Sequence, residues 1–180
     1  MKTEEINQQE FVRAAQADPH AFDRIYQQYA DPIYRYLLSR FHNIDVAEEL
    51  TAQTFLSALE AFPRYRHRGH LTAWLFSIAR NKAADHFRQA RRHSNLDQHE
   101  DLPSDLDLAA DNLESERRRA VQAAIAELPE DQQELLRLRY VAELSFKEIG
   151  KLLDRNSDAV KKSLYRLQYH LQQRLEEPHA

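Results

Sequence analysis

The sequence contains no cysteine, only two glycines among its 180 residues and no long apolar run. Without cysteine, a disulfide framework, a thiolate zinc site and a cysteine nucleophile are all excluded. Gly69 and Gly150 leave little material for tight β-hairpins, whereas Ala, Leu, Gln, Glu and Arg are abundant and favour helices. No stretch approaches the roughly 18 apolar residues of a membrane span, so we expect a cytoplasmic protein without membrane insertion. The composition predicts an all-α fold.

Charge is distributed unevenly along the chain, although the net charge is only −4. Residues 61–93 contain eight Lys or Arg and one acid, a local charge of +7. Residues 94–116 contain eight acids and no Lys or Arg, a local charge of −8. The first segment is typical of a surface that binds a polyanion, and the second imitates a polyanion.

Caps and apolar spacing predict four helices in the first half of the chain. Asp18-Pro19 and Asp31-Pro32 each resemble a helix start, with Asp as the cap and Pro in the first turn. Asp45 is predicted to cap a third helix that Pro63 stops, and a fourth helix is predicted from Leu71 to about Arg92. The side chains expected to point inward recur at three- and four-residue spacing: Phe22, Ile25, Tyr26 and Tyr29; Ile33, Tyr36, Leu37 and Phe41; Val46, Leu50, Phe55, Leu56 and Leu59; Leu71, Trp74, Leu75, Ile78 and Phe87.

The acidic segment separates two predicted domains. Residues 94–111 lack a sustained helical stripe and are interpreted as a flexible acidic linker between a domain over 1–93 and a domain over 112–180. In the second domain a helix is predicted to end before Pro129 and another to run over Gln132 to Tyr140. Their inward side chains are expected to be Leu113, Val121, Ile125 and Leu128, then Leu135, Leu136 and Leu138.

A helix-turn-helix is predicted near the end of the chain. Ser145-Phe146-Lys147-Glu148 is a capping box that opens a short helix, and Asp154-Arg155 is a turn that tolerates unusual backbone angles. Asn156 or Ser157 then caps a last helix with Val160, Leu164, Leu167 and Leu171 inward. The residues proposed to contact duplex DNA are Ser145, Lys147, Arg155, Asn156, Ser157, Asp158, Lys161, Lys162, Tyr165 and Arg166. The alternative is a helical hairpin that only packs, with a basic face that serves solubility.

A second candidate interface interleaves cations with aromatic rings, the combination that holds a phosphate backbone while it stacks an unpaired base. The candidate residues are Arg64, Tyr65, Arg66, His67, Arg68, His70, Trp74, Asn81, Lys82, Arg88, Arg91 and Arg92. The alternative is a solvated basic flank, with Trp74 in the core. His67 and His70 also invite a metal or catalytic hypothesis. The arginines around them disfavour a cation, so we expect no metal, no cofactor and no catalysis.

Three segments, in this order, resemble the extracytoplasmic-function class of bacterial sigma factors. Asp45 to Phe55 is similar to the helix that docks on the polymerase clamp, and Trp74 to Arg88 is similar to the helix that recognises and melts the minus-ten element. Leu128 to Leu136, followed by Ser145 to Gly150, resembles the helices of the domain that reads the minus-thirty-five element. The resemblance covers nearly the whole chain.

The resemblance implies a sigma factor with region 2 and region 4 that binds core RNA polymerase and directs promoter recognition, DNA melting and transcription initiation. It implies polymerase docking by Asp45, Glu48, Glu49, Ala52 and Gln53, and it leaves room for an anti-sigma partner. The chain departs from the family at Ala52-Gln53, where Gln and an acid are usual, and at Ala159 to Ser163, where Thr-Val-Lys-Ser-Arg is usual. Two alternatives stay open: a stand-alone helix-turn-helix regulator, and a polymerase-binding decoy without promoter activity.

Overall fold

The computed structural model describes residues 22–66, 70–94 and 112–176, and all regular secondary structure among these residues is helical. Its α-helices fall into two compact units, one with the helices up to residue 94 and one with those from residue 112. The all-α prediction is confirmed. The predicted linker lies outside the described residues except for Ser94, which ends a helix. None of the described helices is long and apolar enough to cross a membrane.

The described part of the first unit consists of three long helices: α1 (Phe22–Phe41), α2 (Ile44–Ala61) and α3 (Leu71–Ser94). A short 3-10 helix, Phe62–Arg64, follows α2. Helix α2 packs against both α1 and α3. The side chains that fill the space between them are almost completely buried: Ile25, Ile33, Tyr36, Leu37, Ala47, Leu50, Ala58, Leu71, Leu75, Phe76, Ala79 and Ala83.

The predicted helix start at Asp31-Pro32 is wrong, because α1 runs through Pro32 without a break. Instead of capping a helix, Asp31 forms an ion pair with Arg35 one turn later, with 3.0 Å between Oδ2 and Nε. A proline inside a helix costs about 3 kcal/mol. Each apolar side chain that the continued stripe buries contributes roughly 1.5–3 kcal/mol, and several lie beyond the proline. Packing therefore outweighs the local signal. The predicted start at Asp18-Pro19 lies outside the described residues.

Helix α2 differs from the prediction in its cap and in its orientation. Asn43 is the N-cap, and its Oδ1 accepts a hydrogen bond from the Val46 N–H at 3.0 Å, so Asp45 lies in the first turn. Tyr26 of α1 and both Leu56 and Leu59 of α2, all expected inside, are exposed. The inward face of α2 instead uses small and hydroxyl side chains. Thr51 and Thr54 are buried there because each hydroxyl donates to a carbonyl one turn back, at 2.7 Å.

Helix α3 confirms the predicted fourth helix and extends it to Ser94. Phe76 and Ala83 belong to its buried side, although neither was expected there, and the Phe76 ring meets the edge of Tyr36 at 5.6 Å. Phe87 was expected inside but is 40% exposed and stacks on Phe41 at 4.6 Å. The buried side of α3 therefore ends one turn earlier than its apolar pattern predicts.

The second unit contains α4 (Asn112–Ala126), α5 (Glu130–Leu136), α6 (Phe146–Leu152) and α7 (Ser157–Glu176). Helix α7 packs against each of the other three. The predicted single helix over Gln132 to Tyr140 is wrong in detail, because α5 gives way to a π-helical turn at Arg137–Val141. Arg139 of that turn reaches forward to the Leu144 carbonyl at 2.8 Å. Val121, expected inside, is exposed.

Candidate nucleic-acid interface

The turn between α6 and α7 has the geometry of a helix-turn-helix. The predicted capping box is present: the Ser145 hydroxyl accepts from the Glu148 N–H at 3.2 Å, and the Glu148 carboxylate accepts from the Ser145 N–H at 2.8 Å. Asp154 has a φ of 53°, as expected for this turn. Gly150 lies so close to the chain that a Cβ there would meet the Arg155 carbonyl oxygen at 2.6 Å. The tight approach fixes how α6 and α7 cross.

Helix α7 separates an apolar inner side from a polar outer face. Val160, Leu164 and Leu167 are buried, and the three- and four-residue spacing places the outer side chains on the opposite side of the helix. We call these the α7 outer face, and all of them are exposed: Asp158, Lys161, Lys162, Tyr165 and Arg166. The Lys161 ammonium lies 5.7 Å from the Tyr165 ring centre. Three cations against one acid give this face a net positive charge.

Several other predicted DNA-contacting residues are engaged within the motif itself. Asn156 accepts from the Asp158 N–H at 2.8 Å and so caps α7 beside the half-buried Ser157. The Arg155 guanidinium donates to the Ser163 hydroxyl at 2.8 Å, and Ser145 is the N-cap of α6. Lys147 is exposed on α6. The structure thus brings the predicted residues of the motif together, but three of them serve its geometry.

Helix α3 carries the second group of predicted cations. Arg88, Arg91 and Arg92 are exposed together with Asn81, and we call these four residues the α3 basic face. Trp74, Asn81, Arg88 and Arg92 recur at seven- and four-residue spacing and therefore follow one side of the helix. Arg88 forms an ion pair with Asp85 of the same helix. Lys82 is half-buried.

An aromatic cluster lies at the start of this side of α3. The Tyr65 ring packs on Trp74 with 4.3 Å between ring centres, and both neighbour Phe62. Burial raises the pKa of the Tyr65 phenol to about 12, and the nearby Tyr29 adds to the rise. Trp74 is half-buried, so part of its ring packs in the core and part remains exposed, and base stacking by this residue stays a prediction. Arg64 and Arg66 are exposed and His70 is half-buried, whereas His67 and Arg68 lie outside the described residues.

The exposed side of α2 combines acids with apolar side chains. Asp45, Glu48, Glu49 and Ala52 are exposed, and Gln53 donates to Glu49 at 2.9 Å. Leu56 is 59% exposed and Leu59 is 47% exposed. Together with Glu60, these residues are the α2 outer face, on a helix without Lys or Arg. Sequence reasoning missed the two leucines because it assigned every large apolar side chain to the core.

The metal hypothesis gains no support within the described parts of the chain, where no group of three or more His, Asp or Glu residues is arranged to hold an ion.

Comparison with known protein families matches the two units to two different sigma-factor regions. The Sigma-70 region 2 model matches residues 25–93, and the Sigma-70 region 4 model matches residues 118–167. The chain is 36% identical over 162 residues to the ECF RNA polymerase sigma factor BldN of Streptomyces coelicolor. It is 30% identical over 152 residues to the ECF RNA polymerase sigma factor SigM of Bacillus subtilis. The chain belongs to the extracytoplasmic-function class of RNA polymerase sigma factors.

The two relatives differ in how much of their length aligns with this sigma factor. The alignments cover 87% of this chain and 61% of BldN, and 83% of this chain and 91% of SigM. Two solved structures share its fold: CnrH in complex with the cytosolic domain of CnrY, and RpoE of Bartonella quintana in complex with the anti-sigma factor NepR. CnrH aligns with a TM-score of 0.63 at 20% identity, over 95% of this chain and 98% of CnrH. RpoE aligns with a TM-score of 0.65 at 19% identity, over 88% of this chain and 98% of RpoE.

Family membership confirms the resemblance seen in the three sequence segments. It identifies the chain as a promoter-directing initiation factor whose partners are core RNA polymerase and promoter DNA. The two cationic faces fall in different family regions. The α3 basic face lies within the region 2 match, and the α7 outer face lies within the region 4 match.

Proposed function

We propose that the sigma factor divides promoter recognition between its two units: α3 and the loop before it open the minus-ten element, and α7 reads the minus-thirty-five element. The observation that carries this proposal is the pair of separate cationic faces, one on each unit. The domain assignment that goes with it is 1–93 for the region 2-like domain, 94–111 for the linker and 112–180 for the region 4-like domain.

Strand opening is assigned to the α3 basic face and the aromatic cluster beside it. Extruding a base from the duplex costs a few kcal/mol. Tyr65 and Trp74 can offset part of that cost by stacking, while Asn81 offers an amide to a base edge. The phosphates of the separated strand are assigned to the basic residues of this region: Arg64, Arg66, His67, Arg68, His70, Lys82, Arg88, Arg91 and Arg92.

Duplex reading is assigned to the α7 outer face. In a helix-turn-helix the first residues of the second helix meet base edges, and cations further along reach bases and phosphates. Asp158 and Lys162 lie in the first turns, whereas Tyr165 and Arg166 lie one turn on. Asn156, Ser157 and Arg155 act by holding this helix in place, and Ser145 and Lys147 flank it on α6.

Polymerase docking is assigned to the α2 outer face. Its acids, with no Lys or Arg on the helix, suit a basic partner surface, and Leu56 and Leu59 add an apolar contact that the sequence interpretation did not include. This contact compensates for the departure from the family pattern at Ala52-Gln53. An anti-sigma factor, as in the RpoE complex, would act by covering one of these faces. The protein does no chemistry of its own and acts in the cytoplasm with polymerase.

Run-off transcription on genomic fragments with core polymerase tests the proposal. We expect promoter-specific transcripts with the wild-type chain, and none with Arg88→Glu/Arg91→Glu. The control is Arg24→Glu, which reverses an exposed cation on α1 outside both faces. Initiation no more selective than that of core enzyme alone would contradict the function. Specific duplex binding by the chain without polymerase would favour a stand-alone regulator, and polymerase binding without specific transcripts would favour a decoy.

A further inference from the structure

Helix α7 continues beyond the part of the chain that matches region 4. The match ends at Leu167, whereas α7 extends to Glu176. This extension is anchored on its inner side, where Arg174 pairs with Glu127 at 2.5 Å. On its outer side Tyr169 is 66% exposed, more than any other large hydrophobic side chain among the described residues. An anchored helix with an exposed aromatic ring on its outer side presents that ring in a fixed place.

Tyr169 lies on the same side of α7 as the outer face, since it follows Tyr165 by four residues and Lys162 by seven. It was not among the predicted DNA-contacting residues. At about 1.5 Å of rise per residue, Tyr165 lies about 10 Å along the axis from Asp158, and Tyr169 lies about 16 Å from it. The first residues of a recognition helix contact base edges, and its later part approaches the DNA backbone. Tyr169 lies one turn beyond Tyr165 and therefore belongs to that later part of α7.

We propose that Tyr169 contacts a backbone phosphate at the edge of the minus-thirty-five element, with its phenol hydroxyl as the donor. This inference rests on the proposed role of α7 as the reading helix. Tyrosine hydroxyls are among the groups that bind phosphate oxygens and fix the register of a protein on the duplex. The contact carries no sequence information. It sets how far α7 enters the groove, and so which bases and phosphates Lys162 and Arg166 reach.

The test compares Tyr169→Phe, which removes only the hydroxyl, with Tyr140→Phe, which removes the hydroxyl of another exposed tyrosine, in the π-helical turn. Holoenzyme binding is measured on promoter fragments found by run-off transcription, at several salt concentrations and with each base pair of the minus-thirty-five element changed in turn. In a parallel set of fragments, each fragment carries one uncharged methylphosphonate in place of a different flanking phosphate.

We expect Tyr169→Phe to weaken promoter binding about three- to tenfold, by the same factor on every fragment, because a phosphate contact reads no sequence. The slope of affinity against salt should not change, since a neutral donor displaces no counterion. One methylphosphonate position should weaken the wild type and leave Tyr169→Phe unaffected. Tyr140→Phe should bind like the wild type.

Unchanged affinity of Tyr169→Phe would overturn the proposal, and so would a loss that depends on the base sequence. Lys162→Gln separates this failure from a failure of the proposed function. If Lys162→Gln weakens binding and Tyr169→Phe does not, α7 reads DNA without the tyrosine. If neither variant changes binding, α7 is not the reading helix, and both proposals fail.

Discussion

Gly150 lies at a close backbone approach within the helix-turn-helix. An added Cβ would lie 2.6 Å from the Arg155 carbonyl oxygen and 3.3 Å from the Ser157 nitrogen, and both atoms belong to the backbone. Neither can rotate away as a flexible side chain would. The Arg155 N–H also donates to the Gly150 carbonyl at 2.7 Å, and this hydrogen bond holds the two backbone segments together.

Gly150→Ala should therefore destabilise the second unit by about 1–3 kcal/mol, the usual cost of forcing atoms into a packed site. The measurement is thermal unfolding of the whole chain, followed by far-UV circular dichroism. Gln168→Ala, at an exposed position of α7, is the control and should change the stability by no more than about 0.5 kcal/mol. Equal stability of the two variants would contradict the close approach.

Tyr65 gives the stability a dependence on alkaline pH. Its pKa is raised from 10.0 to about 12 in the folded chain, chiefly by burial. The unfolded chain therefore loses the phenol proton first as the pH rises. The stabilisation is complete below pH 10 and is lost between pH 10 and pH 12. In Tyr65→Phe this part of the loss should be missing.

Urea unfolding at a series of pH values measures the difference between the wild type and Tyr65→Phe. The other titrating groups are common to both chains and cancel in the difference. The unfolding free energy of the wild type should fall more steeply above pH 10. Parallel profiles would show that the folded chain does not hold this phenol proton more tightly.

At the scale of single elements, the cap of α2 distinguishes two neighbouring polar residues. The side-chain oxygen of Asn43 accepts a hydrogen bond from a backbone N–H of the first turn, whereas Asp45 only adds charge to that turn. Asn43→Ala should cost about 1 kcal/mol of unfolding free energy. Asp45→Ala should cost less than about 0.5 kcal/mol, since an exposed charge near a helix start is screened by solvent. Urea unfolding of the two variants measures both losses. A larger loss in Asp45→Ala than in Asn43→Ala would identify Asp45 as the cap.

The two faces of α2 offer a second matched pair. Leu50 is 2% exposed and Leu56 is 59% exposed. Leu50→Ala should lower the unfolding free energy by about 2–5 kcal/mol because it leaves a cavity. Leu56→Ala should lower it by no more than about 0.5 kcal/mol. The affinity of Leu56→Ala for core polymerase should nevertheless fall at least about fivefold. Fluorescence titration with core enzyme measures this, and unchanged affinity would remove Leu56 from the docking face.

In the whole molecule, two DNA-binding surfaces are held together by one polymerase. Neither surface needs a high affinity for DNA by itself, because binding of one raises the effective concentration of the other at its own site. Salt dependence separates their contributions. Removing one cation that binds a phosphate reduces the slope of log affinity against log salt by about 0.7 on a single strand and about 0.9 on a duplex.

Arg88→Gln/Arg91→Gln should therefore reduce the holoenzyme's slope by about 1.4, and Lys162→Gln/Arg166→Gln by up to about 1.8, less wherever a cation meets a base instead. Changes in separate units should add when all four are combined. Promoter binding at several salt concentrations measures the slopes, with Arg24→Gln as a control that should leave them unchanged. A combined change no larger than either pair alone would contradict two independent interfaces.

Much of the candidate site was predictable from the sequence because cations at helical spacing must share a face. Arg88 with Arg92, and Lys162 with Arg166, follow from spacing of this kind. The engagement of Arg155 with Ser163, and of Asn156 with the start of α7, was not predictable. Hydrogen-bond partners depend on which side chains the turn brings within bonding distance, and the local sequence does not specify the distances between them.

The all-α class, the capping box at Ser145 and the two concentrations of positive charge follow from the order of the residues, since these features depend on local propensity and spacing. The continuation of α1 through Pro32 and the outward orientation of Leu56 and Leu59 on α2 follow from packing between helices. Both outcomes are sums over many contacts. A helix settles on the orientation that buries the most surface against its neighbours, and that total can override any single residue's preference.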